Sequence, residues 1–136
     1  LLVENEIPSI IAESMLSATD NIYLIWAMLI FFLLFVGMFM ETLATILILT
    51  PVLLPIAYNL GIDPLHFGIV MVCCCEIGFQ TPPLGENLFI ASGISNSSIE
   101  EISLRAVPFA ICSTIAVFLI AYVPEISLWL PRLLGY

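Results

Sequence analysis

The sequence contains no lysine, and Arg105 and Arg132 are its only arginines. Set against 11 acidic residues, they leave a formal net charge of -9. A chain so poor in cations can neither neutralise a phosphate backbone nor attach itself through a polybasic patch to anionic lipid. Nucleic-acid binding is thereby excluded. Charge of either sign is scarce, at 10% of residues, where soluble chains carry roughly a quarter. Orientation signals are correspondingly thin, and the excess of basic residues on the inner side places Arg105 in the cytoplasm. There is one histidine, His66, no HExxH, and no pair of cysteines at CxxC spacing. Three of the four cysteines are consecutive, Cys73, Cys74 and Cys75. On a helix they point ~100° apart and cannot converge on one ion, so they read as packing residues.

What the sequence has instead is apolar length. Hydrophobic residues make up 62% of it and the mean hydropathy is +1.19. Ile22 to Met40, Thr42 to Ile62 and Ala106 to Val123 each run without a charge, near the ~20 residues that cross a bilayer as a helix. The fold class is therefore an all-α polytopic membrane protein. The opening LLVENEIPSI has acids and no basic n-region, so it is not a signal peptide; it reads as an internal start. Residues 1–21 alternate acids with Ile, Met and Leu and suit an amphipathic arm on the membrane surface. Asp20 or Asn21 would cap the helix that follows, and Tyr23 and Trp26 mark its entry at the headgroups.

The exit of that helix is ambiguous. Gly37 and Glu41 arrive where a span should still be apolar, and apolar sequence resumes at once. Either Glu41 sits at the far interface, or the chain turns near MFMET inside the membrane and returns. The returning arm carries Pro51 and Pro55, which predict a kink, and ends at Asn59-Leu60-Gly61 with the glycine as a left-handed cap. Residues 65–92 form a discontinuous transmembrane helix broken at 80–85. Residues 97–105 read as a surface helix, with Ser97 and Ser98 at capping-box spacing from Glu100 and Glu101, and Glu101 four residues before Arg105. Residues 106–136 complete the chain as a final transmembrane helix and tail.

The break lies in EIGFQTPPLGENLF, residues 76–89. Pro82 and Pro83 donate no hydrogen bond, so the carbonyls of Gly78 and Phe79 are expected to lose their partners. Gly85 is expected to lend conformational freedom for re-entering a helix. Two half-helices would then meet in mid-membrane, one presenting carbonyls and the other amides, the arrangement by which broken helices hold cations and carboxylates. An ordinary loop between two spans falls short on length. It would also bury Glu76 and Glu86 without function, at ~2.5 to 3.5 kcal/mol each on insertion scales.

The runs GMFMETLATILILTPVLLPIAYNLGIDPLHFGIVMV and EIGFQTPPLGENLFIASGI resemble the C-terminal half of the large membrane subunit of tripartite ATP-independent periplasmic (TRAP) transporters, the DctM-like family. The resemblance covers nearly all of residues 30–131. It rests on a glycine and acid before the proline-bearing arm, the Leu-Gly-Ile-Asp-Pro and His-Phe-Gly turn, and Thr-Pro-Pro-x-Gly followed by Asn-Leu-Phe. It implies two inverted repeats moving as an elevator, each with a re-entrant hairpin and a broken helix. This chain would be the second repeat, its re-entrant hairpin over 22–61 with the tip at 37–43. The resemblance further implies a Na+-coupled importer of C4-dicarboxylates or sialic acids in a bacterial or archaeal inner membrane. Partners would be the N-terminal half of the same subunit, a small membrane subunit and a periplasmic substrate-binding protein.

Carried over residue by residue, the likeness places one Na+ among Gly37, Glu41, Thr42, Thr81, Pro82, Pro83 and Gly85, mostly through backbone carbonyls. Thr45 and Asn87 would face the substrate. No catalytic residue and no cofactor are implied, and no metal beyond Na+ as coupling ion. Glu41 and Glu86 depart from the family pattern, where an aspartate and an uncharged residue are usual. Glu76 is expected to serve as a structural hydrogen-bonding residue and His66 as a local one in a surface turn. Two other readings remain beside transport: an intramembrane metal-dependent or acid/base enzyme using Glu41, Glu76, Glu86, His66 or the cysteines, and a purely structural membrane subunit, which gives no reason for the Thr-Pro-Pro interruption.

Overall fold

A computed structural model describes residues 21–82 and 85–135. The arm expected over 1–21 therefore lies, apart from Asn21, outside the described residues, as do Pro83 and Leu84 of the break. The regular structure of the described residues is all α-helical.

Local chemistry sets the helix ends. The side chain of Asn21 accepts the amide of Tyr23 at 3.0 Å and starts α1 (Ile22–Gly37), satisfying one of the amides that a helix start leaves without an internal partner. Residues 38–41 turn into α2 (Thr42–Asn59), which keeps Pro51 and Pro55 inside one helix. Gly61 closes α2 at φ 71°, with its own amide on Tyr58 and that of Ile62 on Ala57, the paired bonds of a Schellman motif that an L side chain at positive φ would strain. Asp63 accepts the amides of Leu65 and His66, and Pro64 takes the first position of α3 (Pro64–Phe79), where its missing N–H costs nothing. After the break come α4 (Glu86–Ser95), α5 (Ile99–Tyr122) and α6 (Glu125–Leu133). Ser98 caps α5 by accepting the amide of Glu101, whose carboxylate pairs with Arg105 at 2.9 Å.

The separation of a surface helix at 97–105 from a span beginning at 106 is corrected by α5, one unbroken helix of 24 residues. At Ala106 the sequence changes polarity, but it offers no cap, glycine or proline pair to stop the backbone. A change of solvent alone does not end a helix. The chain turns only at Val123 and Pro124, and α6 follows as a separate helix within the expected tail.

The centre of the bundle is α3, which packs against α1, α2, α5 and α6, while α1 and α2 have little contact with each other. Leu29, Ile30 and Leu33 of α1, Leu53 and Ala57 of α2, and Phe67, Val70, Met71 and Cys74 of α3 are fully or almost fully buried. Trp26 is buried within the bundle, and its indole N–H donates to the carbonyl of Ala121 at 2.9 Å. Tyr23 stays exposed. Two helices, α2 and α5, are long and apolar enough to cross a membrane. At 16 residues each, α1 and α3 reach about 24 Å, short of a hydrocarbon core ~30 Å thick.

Candidate functional site

The two interruptions of the chain lie side by side because two glycines let the backbones touch. A methyl group at Gly78 would sit 2.5 Å from the carbonyl carbon of Gly37 and 2.8 Å from the carbonyl oxygen of Leu34. One at Gly37 would sit 2.8 Å from the Cα of Cys75. No side chain fits between α1 and α3 at this level, and small residues are how membrane helices approach so closely. The role of Gly37 is thus close packing that brings the 38–41 turn onto the end of α3.

Above this contact opens a cleft of about 240 Å3 lined by Met38, Phe39, Met40 and Glu41 of the turn, Phe79 of α3, and Glu86 and Phe89 of α4. Glu41 occupies the N-cap position of α2, its Oε2 accepting the amide of Ala44 at 3.3 Å. Its own carbonyl accepts both the amide and the hydroxyl of Thr45 at 3.0 Å. Glu86 lies in the first turn of α4, where the helix dipole favours an anion. Both residues therefore line the cleft from helix N-termini. The hydroxyl of Thr42 donates to Oε1 of Glu76 at 2.9 Å, which ties the start of α2 to α3. That bond uses the hydroxyl hydrogen and leaves its oxygen able to accept or to ligate.

The other sequence candidates are distributed differently. Thr81 and Pro82 line a separate cavity of about 320 Å3 against Val107, Ala110, Ile111 and Thr114 of α5. Pro83 lies outside the described residues. Thr45, expected to face the substrate, is buried, and its hydroxyl holds the carbonyl of Glu41 at 3.0 Å. Asn87 is exposed on the first turn of α4. The carbonyl of Gly78, expected to be freed by the prolines, accepts the amide of Thr81 at 2.9 Å. That of Ile77 accepts the amide of Gln80 at 3.2 Å and the hydroxyl of Thr81 at 2.7 Å. The last turn of α3 tightens to i→i+3 bonds and so supplies its own donors. Gly85 has φ -46°, which any residue adopts; its need for glycine is the approach of its Cα to the Phe79 carbonyl, 2.9 Å from where a methyl group would be.

Sequence reasoning missed three features. Glu86 was set apart as a departure, yet it shares the cleft with Glu41. Gly78 was read only for its carbonyl; the glycine beside a glycine-bearing turn was the available signal for close packing. His66 is buried and its contacts are long-range, Nδ1 lying 2.6 Å from the Ser127 hydroxyl and Nε2 3.1 Å from the Ala121 carbonyl. A carbonyl only accepts, so Nε2 carries hydrogen, and the one hydrogen of the Ser127 hydroxyl is within reach of both Nδ1 and the Pro124 carbonyl. His66 ties α3 to α5 and α6 and is no surface residue. Among the described residues no group of three His, Cys, Asp or Glu side chains is arranged to hold a metal ion, and the four cysteines are free thiols, Cys74 and Cys75 fully buried.

The family described as "Tripartite ATP-independent periplasmic transporter, DctM component" matches residues 1–126. The chain is 44% identical to the isethionate TRAP transporter permease protein DctMQ of Oleidesulfovibrio alaskensis, over 95% of this chain and 20% of that protein. It is 42% identical to the C4-dicarboxylate TRAP transporter large permease protein DctM of Vibrio cholerae, over 98% of this chain and 30% of the relative. Against the sialic acid TRAP transporter large permease protein SiaM of the same organism it is 34% identical, over 100% of this chain and 32% of the relative. The chain thus spans 20% to 32% of the length of these relatives. It belongs to the DctM family of TRAP transporter large permeases.

Proposed function

We propose that this chain forms the tip-and-break half of the transport domain of a Na+-coupled importer of small organic acids. The observation that carries the reading is the contact of Gly37 with Gly78, which sets the 38–41 turn beside the interrupted end of α3. The turn would be the tip of a re-entrant hairpin, since α1 is too short to cross. The relatives named for C4-dicarboxylates, sialic acid and isethionate are each named for a small organic anion, and that class is proposed for this protein. The donor is a periplasmic binding protein, and a small membrane subunit completes the system.

In this reading Na+ is cargo, held through oxygen atoms. Glu41 and the hydroxyl of Thr42 supply oxygens from the α2 start, and the break supplies others once Thr81 and Pro82, which here line the separate cavity against α5, move toward the tip with the Gly85 backbone. Thr45 fixes the Glu41 carbonyl and Glu76 fixes the Thr42 hydroxyl. The amides that open α4 have no side-chain cap at Gly85, so they suit the substrate carboxylate. Asn87 stands beside them. Movement of this unit against a scaffold would carry ion and substrate together.

The test is Na+-dependent uptake by the intact subunit with its partners in proteoliposomes. Glu41→Gln and Thr81→Ala are each expected to raise the Na+ concentration for half-maximal uptake about tenfold, the loss of roughly 1.4 kcal/mol of ion binding. Na+ activation identical to wild type in both variants would remove the break and the tip from the ion site.

A further inference from the structure

At the end of the bundle away from the cleft, where α1 and α3 begin and α5 ends, lies a second polar cavity of about 390 Å3. Its charged lining is Asp63, Glu125 and Arg132, and its aromatic lining includes Tyr23, Trp26 and Tyr122. Asp63 uses Oδ1 on the α3 amides. Among the described residues Arg132 enters no ion pair; the one ion pair there joins Arg105 to Glu101. Two carboxylates and a guanidinium thus share one cavity without neutralising one another.

Directly beside it, an almost wholly apolar groove of about 450 Å3 runs along α5 past Phe118, Ile115 and Leu119 to Thr114. The two spaces share Tyr122 as a wall, and its hydroxyl is fixed by donation to the Tyr23 carbonyl at 2.8 Å. From Tyr122 to Thr114 the helix rises about 12 Å, enough to seat the upper part of an acyl chain. A polar chamber with charges of both signs opening onto an apolar groove is the shape of an amphiphile. Exposed Tyr23 and Trp129 at the same end set it at headgroup depth.

We infer that this cavity and groove bind one zwitterionic aminophospholipid from the bilayer, its phosphate on Arg132, its primary ammonium between Asp63 and Glu125, and one acyl chain along α5. The charge pattern selects the class. An anionic lipid is drawn to clusters of basic residues, whereas here two carboxylates accompany one cation. A soluble zwitterion accounts for the chamber and leaves the groove without a role. A quaternary ammonium offers no N–H to the carboxylates, so a primary amine fits better. The assignment is independent of Na+ coupling, because no residue of the cleft takes part.

The test is native mass spectrometry of the intact subunit, stripped of lipid in detergent and then exposed in turn to dioleoyl phosphatidylethanolamine, phosphatidylcholine and phosphatidylglycerol. One phosphatidylethanolamine per subunit is expected to be retained in preference to the other two. Arg132→Ala and Glu125→Gln, both at exposed positions, should each lower its retention about three- to fivefold. Asp63→Asn should do likewise while keeping the helix cap, because Asn caps as well as Asp. Equal retention of phosphatidylglycerol or phosphatidylcholine overturns the inference. So does retention unchanged in all three variants, or no retained lipid at all, the result expected if another stretch of the permease or a partner protein fills the chamber.

Discussion

Glycine at 78 is required by contact, and glycine at 68 is not. Both lie in α3, but a methyl group at Gly78 meets the Gly37 backbone, whereas one at Gly68 meets nothing within 4 Å. Backbone cannot swing aside as a side-chain end can, so Gly78→Ala must push α1 from α3. It is expected to cost about 1–3 kcal/mol, the usual range for overpacking. Gly68→Ala should be neutral or gain up to about 1 kcal/mol from helix propensity. Thermal unfolding midpoints of the purified intact subunit compare the two, and equal midpoints would deny the close approach. At this scale legibility followed chemistry confined to a few residues. Asn21, Gly61 and Ser98 were readable as caps because a cap depends on its nearest neighbours. His66 was misread because its partners Ser127 and Ala121 lie 61 and 55 residues away, and the burial of Thr45 was not legible because burial by another helix leaves no mark in its own segment.

Between elements, polar links decide geometry that apolar packing leaves loose. The start of α2 has only limited contact with α1, and its tie to α3 is the hydroxyl of Thr42 on the carboxylate of Glu76. A double-mutant cycle with Thr42→Val and Glu76→Gln is expected to give a coupling of about 0.5–1 kcal/mol in unfolding free energy, modest because the bond is exposed. The same pair should also couple in the Na+ dependence of uptake if Glu76 orients Thr42 toward an ion. Additive effects in both measurements would reduce the bond to an incidental contact. Helix existence was legible from apolar run length, and the turn after Gly37 from Gly37 and Glu41. The continuity of α5 was not, because the change from SLR to AVPF marks a change of surroundings that the backbone ignores. Nor was the pairing of Glu86 with Glu41 around one cleft, which depends on how α4 is set against the 38–41 turn.

At the level of the whole molecule, periodicity loses its power because lipid is as apolar as a protein core. In water the buried face of a helix is its apolar face; here Leu47, 75% exposed, and Leu53, 1% exposed, sit on one helix with the same side chain. That is why the sequence showed apolar helices without showing that α3 lies at their centre. What breaks the symmetry is length. Since α1 reaches about 24 Å of a ~30 Å core, the proposed re-entrant hairpin puts the turn bearing Phe39 and Glu41 within the hydrocarbon, where its backbone is tolerable only against protein or water. The cleft beside it supplies that surface. Phe39→Cys, in an otherwise cysteine-free intact subunit, is therefore expected to react with a membrane-impermeant thiol reagent from one side of the membrane. Na+ should slow that reaction severalfold by filling the cleft. Leu47→Cys, on a face turned away from the bundle, should stay unlabelled from either side because lipid excludes the reagent. Equal labelling at the two positions would make the exposed face of α2 as wet as the tip, and the turn would then be an ordinary interfacial loop.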